Sequence, residues 1–278
     1  MSAERHRSGE RIASLAMYRD PPAVAAATRA FWALARDVLR VNGIADAPER
    51  LDETIAHDAA WLDPRLLLAQ TCGYPFASRL RGRVRLVATP VYDHPGCDGV
   101  MSGSFVVVGA GSPVSSVVEL RGRTAAINDR FSNSGTNLLR RLIAPHAIDG
   151  RFFGRMVESG SHLASLALVA RGEADVAAID CVTHGNLARF APERLAGTRI
   201  LTETAKTPGL PFITRAASSE REMAMLREAL IRVTADPAGA QVRDTLGLRG
   251  FELLPESAYD ATLEMKRAAA SLGYPRLA

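Results

Sequence analysis

A run of hydroxyl, amide and glycine residues, Ser132-Asn133-Ser134-Gly135-Thr136-Asn137, stands between a strand-like stretch, Thr124-Ala125-Ala126-Ile127-Asn128, and an amphipathic helical segment beginning near Leu138. A helix start leaves its first N–H groups without intrahelical partners and carries the positive end of the helix dipole. Small residues there let an anion approach, and hydroxyls add donors of their own. Ser and Asn are also preferred helix caps, so from the motif alone an anion cradle and an ordinary N-cap both stand open.

Other loops that follow strand-like runs share this polar character, and in open α/β sheets ligands bind beyond the carboxyl ends of strands. They are Met17-Tyr18, Gln70-Thr71-Cys72-Gly73-Tyr74, Thr89-Pro90-Val91-Tyr92, Gly160-Ser161-His162 and Asp180-Cys181-Val182-Thr183. Tyr18, Tyr74 and Tyr92 join an apolar face to a hydroxyl, which suits the wall of a small-ligand site and equally suits covering the edge of a core. His162, at a helix start, is placed to donate to an anion or to sit in a capping turn. Asp180 ends an apolar strand, where it can hold a ligand amine or hydroxyl, orient a donor, or cap the next helix. The candidate ligand contacts are therefore Tyr18, Thr71, Tyr74, Tyr92, Ser132, Asn133, Ser134, Gly135, Thr136, His162 and Asp180.

Nothing in the sequence marks a catalytic engine. There is no G-x-S-x-G elbow, Walker loop, G-x-G-x-x-G fingerprint or H-E-x-x-H in a supporting context, and Gly109-Ala110-Gly111 is followed by Ser112-Pro113, which breaks the dinucleotide pattern. Cys72, Cys97 and Cys181 lack C-x-x-C spacing, so no metal site and no cofactor are expected. The expectation is buried or partly buried thiols, with a Cys72–Cys97 disulfide the conceivable exception.

The composition, 47% hydrophobic and 23% charged over 278 residues, is that of a folded globular protein with room for two lobes. The net charge of +4 is spread without long like-charge runs, so no nucleic-acid partner is expected. Arg79, Arg81, Arg83 and Arg85 alternate with other residues as on a solvated face. Met1 to Gly9 is polar, and Ile12 to Tyr18 is too short for a signal-peptide core or a membrane span. As written, the chain is expected in the cytoplasm without membrane insertion, and in the periplasm if a leader has been removed.

The elements that position these loops alternate strand and helix, predicting an α/β fold with mostly parallel strands. Predicted strands are Arg11–Met17, Leu66–Ala69, Val84–Ala88, Ser104–Val108, Thr124–Ile127, Phe153–Val157, Val176–Ile179, Arg199–Leu201 and Pro211–Thr214. Predicted helices are Pro22–Val41, Pro48–His57, one from about Gly135, Ser161–Arg171, Thr183–Phe190, Ser219–Val233, Ala238–Leu246 and Glu256–Ser271.

Leu120-Arg121-Gly122-Arg123-Thr124 followed by Ser132-Asn133-Ser134-Gly135 resembles the L-x-G-(K/R)-x … S-x-S-G signature of phosphate/phosphonate-type periplasmic solute-binding proteins. Gly160-Ser161-His162, Gly172 to Asp180 and Pro208-Gly209-Leu210-Pro211-Phe212 continue the resemblance in order. It implies a two-lobe, type 2 periplasmic-binding-protein fold with the ligand in a cleft between lobes and two crossovers, near Gly103-Ser104 and Lys206-Thr207. One lobe is then 1–103 plus 207–278, the other 104–206. In the family the serine-rich turn holds the phosphonate or phosphate, a role that falls on Ser132, Ser134, Gly135 and Thr136. A first-loop tyrosine corresponds to Tyr18 and a strand-end acid to Asp180, while Asn133 stands where relatives often carry a small hydroxyl residue. The implied function is binding of a small anionic or organophosphorus ligand, without chemistry, for an ABC permease. The alternative on the same fold is a cytosolic enzyme acting on a small carboxylated or phosphorylated metabolite, with His162 and Asp180 as acid and base.

Overall fold

A computed structural model describes residues 10–278, and the polar stretch Met1–Gly9 lies outside the described residues. In chain order the strands are β1 (Ile12–Ser14), β2 (Leu66–Gln70), β3 (Val84–Tyr92), β4 (Cys97–Asp98), β5 (Met101–Ser102), β6 (Ser104–Gly109), β7 (Thr124–Ile127), β8 (Arg155–Glu158), β9 (Val176–Asp180), β10 (Thr198–Glu203), β11 (Thr207–Pro208), β12 (Phe212–Arg215) and β13 (Leu248–Glu252). The α-helices are α1 (Pro22–Val41), α2 (His57–Trp61), α3 (Gly73–Pro75), α4 (Leu138–Ile143), α5 (His162–Ala170), α6 (Cys181–Phe190), α7 (Glu220–Ala235), α8 (Ala240–Leu246) and α9 (Asp260–Ser271). The chain divides into two compact units, each with its own sheet.

Unit 1 holds the described residues up to Thr71, Leu80–Pro90 and Leu210–Leu254. Its sheet has the order β1-β2-β12-β3-β13. All five residues of β2 are buried, and Leu66–Ala69 form the continuous apolar run expected of an interior strand. Helix α1 starts with a proline in its first turn, where the missing N–H costs nothing, and ends before Gly43, whose φ of +106° turns the chain away. Val24, Ala27, Phe31, Ala35 and Leu39 recur at helical spacing and are buried. Phe31, Phe212 and Phe251 meet there, with the Phe212 and Phe251 rings 5.2 Å apart and edge to face.

Unit 2 holds Cys72–Arg79, Val91–Gly209 and Pro255–Ala278. Its main sheet runs β10-β6-β9-β7-β8, and β11-β5-β4 form a small second sheet. Val106, Val108, Ala125, Val176 and Ala178 from the strands pack with Leu139 and Ile143 of α4, Phe152, and Ala269 and Tyr274 near the C-terminus. The C-terminal segment is tied in: Phe152 and Phe153 N–H groups and the Tyr274 hydroxyl all donate to the Ala278 carbonyl.

Three expectations need correction. The sheets are mixed rather than mostly parallel: β12 runs antiparallel to β2 and β3, and β6 antiparallel to β9 and β10, while β1–β2, β7–β8 and β7–β9 are parallel. A parallel neighbour requires a crossover helix, and β6 is entered instead from the tight β4–β5 hairpin. No helix forms over Pro48–Ala56; the only helix of that region is α2, one turn later. There Asp52 Oδ1 accepts from the Thr54 N–H, the Thr54 hydroxyl and the Ile55 N–H, a local turn that competes with helical pairing. The segment after Ser132 opens as a π-helical turn, Asn133–Asn137, before continuing as α4.

Candidate functional site

The carboxyl end of unit 2's main sheet gathers the polar loops. Strands β7 and β8 are parallel neighbours, with Ile127 opposite Glu158, so the turns that leave them emerge side by side. Ser159 fixes that alignment, its N–H (2.8 Å) and hydroxyl (3.1 Å) both donating to the Ile127 carbonyl. The next strand inward, β9, ends at Asp180, which stands opposite Ser104, the first residue of antiparallel β6. Ser104 Oγ donates to the Ser134 carbonyl (3.0 Å), so four strands converge on one turn.

Within that turn each side chain has a distinct task. Ser132 caps it, its Oγ accepting from the Gly135 N–H at 3.1 Å. Asn133 is a clamp: its Nδ2 donates to Thr207 Oγ1 (2.8 Å) and its Oδ1 accepts from Asn137 Nδ2 (3.0 Å). The Thr136 hydroxyl donates to the Asp129 carbonyl at 2.6 Å, closing the turn from the other side. Ser134 alone of the group points its hydroxyl to another loop, 3.0 Å from His162 Nε2.

His162 is the first residue of α5, placed there by Ser161, whose Oγ caps the helix by accepting from the Ala164 N–H. Its Nδ1 is withdrawn from water without a hydrogen-bond partner of normal geometry. Burial therefore pulls the imidazole below its ordinary pKa of 6.5, and the Asp180 charge and the Ala178 main chain oppose this only in part. The ring is neutral at pH 7. Its Nε2 then donates to or accepts from Ser134 according to tautomer, leaving Ser134 free to turn its remaining capacity outward.

Asn128, which follows β7, was not singled out from the sequence. Its Oδ1 is buried with no partner and lies against Gly135. A Cβ at Gly135 would overlap Asn128 Oδ1, lie 2.9 Å from Asn128 Cγ and 3.2 Å from His162 Cε1. Gly135 is thus the residue that lets Asn128, Ser134 and His162 share one small volume. The signal that could have found Asn128 is its place one residue past a buried strand, facing a glycine in the next turn.

The remaining candidates divide by unit. In unit 2, Asp180 is 3% exposed and caps α6, its Oδ1 accepting from the Val182 and Thr183 N–H groups, both at 3.0 Å. Tyr74 is 7% exposed, and its hydroxyl engages the Arg140 guanidinium. Arg140 also donates to Asn137 Oδ1 and to the Pro275 carbonyl, which links Tyr74 to the scaffold beneath the serine-rich turn. Tyr92 is half-buried and stacked on His94, ring centroids 6.4 Å apart. In unit 1, Tyr18 lies half-buried beyond β1, and Thr71 is fully buried at the end of β2, its N–H donating to the Pro211 carbonyl.

Cys72, Cys97 and Cys181 are free thiols, and the neighbour of Cys97 is Cys181 rather than Cys72. No cluster of His, Cys, Asp and Glu suited to a metal ion is found among the described residues. No helix among them is long and apolar enough to cross a membrane.

Residues 65–259 match the family of ABC transporter, phosphonate, periplasmic substrate-binding proteins. No curated protein matches the sequence. Among solved structures, PhnD1 from Prochlorococcus marinus in complex with methylphosphonate superposes with a TM-score of 0.73 at 16% identity, over 93% of this chain and 97% of that one. A binding protein component of an ABC phosphonate transporter from Pseudomonas aeruginosa gives 0.73 at 13% identity, over 95% and 88%. XAC2383 from Xanthomonas citri bound to chloride gives 0.70 at 17%, over 95% and 99%. These likenesses share the two-lobe α/β architecture of periplasmic binding proteins, and the family is one of solute-binding proteins rather than enzymes, which favours binding over the enzymic alternative. With more than half of its length matched, the chain belongs to the periplasmic substrate-binding proteins of phosphonate ABC transporters.

Proposed function

We propose that the protein captures a small oxyanion of phosphonate or phosphate type at the Ser134–His162–Asn128 end of unit 2 and delivers it to an ABC permease from the periplasm. The observation that carries this reading is the Ser134 Oγ to His162 Nε2 contact of 3.0 Å beside the partnerless Asn128 Oδ1. Buried polar groups are ordinarily satisfied, and a set left open at the carboxyl end of a sheet is suited to a ligand that completes it. The Asn128 amide offers an acceptor in this orientation and two donors when turned over, so it can serve either a P–O⁻ or a P–OH. Ser132, Asn133, Gly135 and Thr136 then act as the frame that holds Ser134 in place. Asp180 frames α6 in the same way, and Tyr74 and Tyr92 are proposed as unit 2's walls.

Tyr18 and Thr71 are proposed as further ligand contacts. In this reading capture is a shift between an open and a closed state, driven by contacts present only in the closed one. The likeness to a methylphosphonate complex supports the choice of ligand class. The test is calorimetric titration with methylphosphonate, inorganic phosphate, sulfate and a dicarboxylate. Saturable binding of the phosphorus oxyanions, with the ligand recovered unchanged, is expected. Binding of the dicarboxylate alone, or of none of the four, overturns the reading.

A further inference from the structure

Two cysteines far apart in sequence meet in unit 2. Cys97 Sγ and Cys181 Sγ are 3.5 Å apart across a separation of 84 residues. Their backbones are held together by one intermediary: the Gly103 N–H donates to the Gly96 carbonyl (3.3 Å), and the Gly103 carbonyl accepts from the Cys181 N–H (3.2 Å). The approach is close enough that a Cβ on Gly96 would stand 2.7 Å from Cys181 Cβ, and Gly96 has a φ of +88°. A side chain at that position would push the hairpin away from α6.

The two thiols differ as an attacking and a resolving group must. Cys97 is half-buried at the start of β4 and reachable from solvent, whereas Cys181 is fully buried at the start of α6. A hydrogen bond from Cys181 favours the Cys97 thiolate, helped by the His94 main chain and the charge of Lys206, and opposed by burial and Asp180. The same bond, burial and the Asp180 charge keep Cys181 protonated. Burial and the Asp180 charge push the Cys72 thiol up to about 12.

We propose that Cys97 and Cys181 form a redox-active pair, a dithiol that closes to an intrachain disulfide by exchange with a disulfide of another molecule. The Cys97 thiolate attacks one sulfur of the oxidant, forming a mixed disulfide and releasing one thiolate. Cys181 loses its proton, which the released thiolate takes up, and attacks the Cys97 sulfur. The Cys97–Cys181 bond forms, the mixed disulfide breaks, and the second thiolate leaves to take the proton that Cys97 first gave up. Two protein thiols are oxidised by two electrons and one disulfide is reduced to two thiols. The sulfurs must close from 3.5 Å to about 2.0 Å, within reach of a side-chain rotation on a two-residue strand. The bond would clip the β4–β5 hairpin to α6, both within unit 2. An oxidising compartment would keep the clip closed and a reducing one open.

The test uses the full chain, equilibrated with oxidised glutathione, quenched with an alkylating agent, unfolded and mapped by mass spectrometry. The expected product has a Cys97–Cys181 linked peptide, an alkylated Cys72 outside that linkage, and a melting temperature raised by roughly 5 °C or more, reversed by dithiothreitol. C72S should behave as the wild type, and C97S and C97A should form no linkage and show no oxidation-dependent shift. Thiols that both remain alkylatable, a glutathione adduct on Cys97 that never resolves, or a linkage through Cys72 would overturn the proposal. A linkage that leaves the melting temperature unchanged would remove the clip.

Discussion

Ser134 and His162 meet across two neighbouring strand ends, Oγ to Nε2 at 3.0 Å, and each is fixed by a hydroxyl that is not its own. Ser132 Oγ caps the turn that carries Ser134, and Ser161 Oγ caps the helix that carries His162. The capping and ligand readings of the serine-rich run are therefore complementary: one serine holds the backbone while the next presents its hydroxyl.

That division predicts different consequences for two neighbouring hydroxyls. S134A removes a contact to a charged ligand, a loss of about 1.5–3 kcal/mol, or roughly 10- to 100-fold in affinity for methylphosphonate, with unfolding little changed. T136A removes the bond to the Asp129 carbonyl and should lower stability by about 1 kcal/mol while changing affinity much less. Calorimetry and urea unfolding on both variants decide it; equal affinity in S134A and wild type would take Ser134 out of the site.

The half-buried imidazole of His162, with its Nδ1 shut off from water, predicts a pH dependence of known sign. In the unfolded chain His162 takes up a proton near pH 6.5, but burial lowers its affinity for protons in the folded protein. The unfolded state thus binds more protons below 6.5, so the stability present above that pH is lost progressively as pH falls toward the folded value. Burial lowers His184 as well, so the comparison must be with H162Q rather than with a theoretical flat line. The wild-type stability relative to H162Q should decline from pH 7 to pH 5 in urea titrations, and a difference that stays constant would contradict the assignment.

Much of this arrangement was legible because it rests on local signals. Leu66–Ala69 and Val176–Ile179 are apolar runs and are buried along their whole lengths, and Pro22 marks the start of α1. What sequence reasoning missed depends on residues distant in the chain. The strands β4, β5 and β11 are two residues each and partly polar, too short to show a period, and exist only because Cys97, Ser102 and Thr207 come together. Asn128 gains its meaning from a glycine in the following turn, and Cys97 from a thiol 84 residues on. Asp52 defeated the helix expected near Pro48 by hydrogen bonds that composition does not reveal.

Asp180 supplies a test of frame against ligand contact. Its carboxylate receives two N–H groups at the start of α6, where a negative charge also complements the helix dipole. D180A should cost about 1–2 kcal/mol of stability, and D180N, which keeps an acceptor, appreciably less. Unfolding curves for the pair measure the cap. If D180N is as stable as expected yet binds methylphosphonate as weakly as an empty site, Asp180 touches the ligand as well.

Gly135 gives the strictest test of the site's geometry. Its missing side chain is what admits Asn128 Oδ1 and His162 Cε1 to the space beside Ser134. G135A must displace Asn128, since the overlap falls on the amide and the nearby imidazole carbon leaves only 3.2 Å on the other side. Overpacking of this kind costs about 1–3 kcal/mol, and with Asn128 moved the oxyanion loses both that partner and its room. The double variant G135A/N128A removes the clash while leaving Ser134 and His162 in place, so it should regain most of the lost stability. If Asn128 is a ligand contact, the double variant folds normally and still binds methylphosphonate at least tenfold more weakly than wild type. Full recovery of affinity would show that Asn128 only fills space, and Ser134 with His162 would then carry the recognition alone.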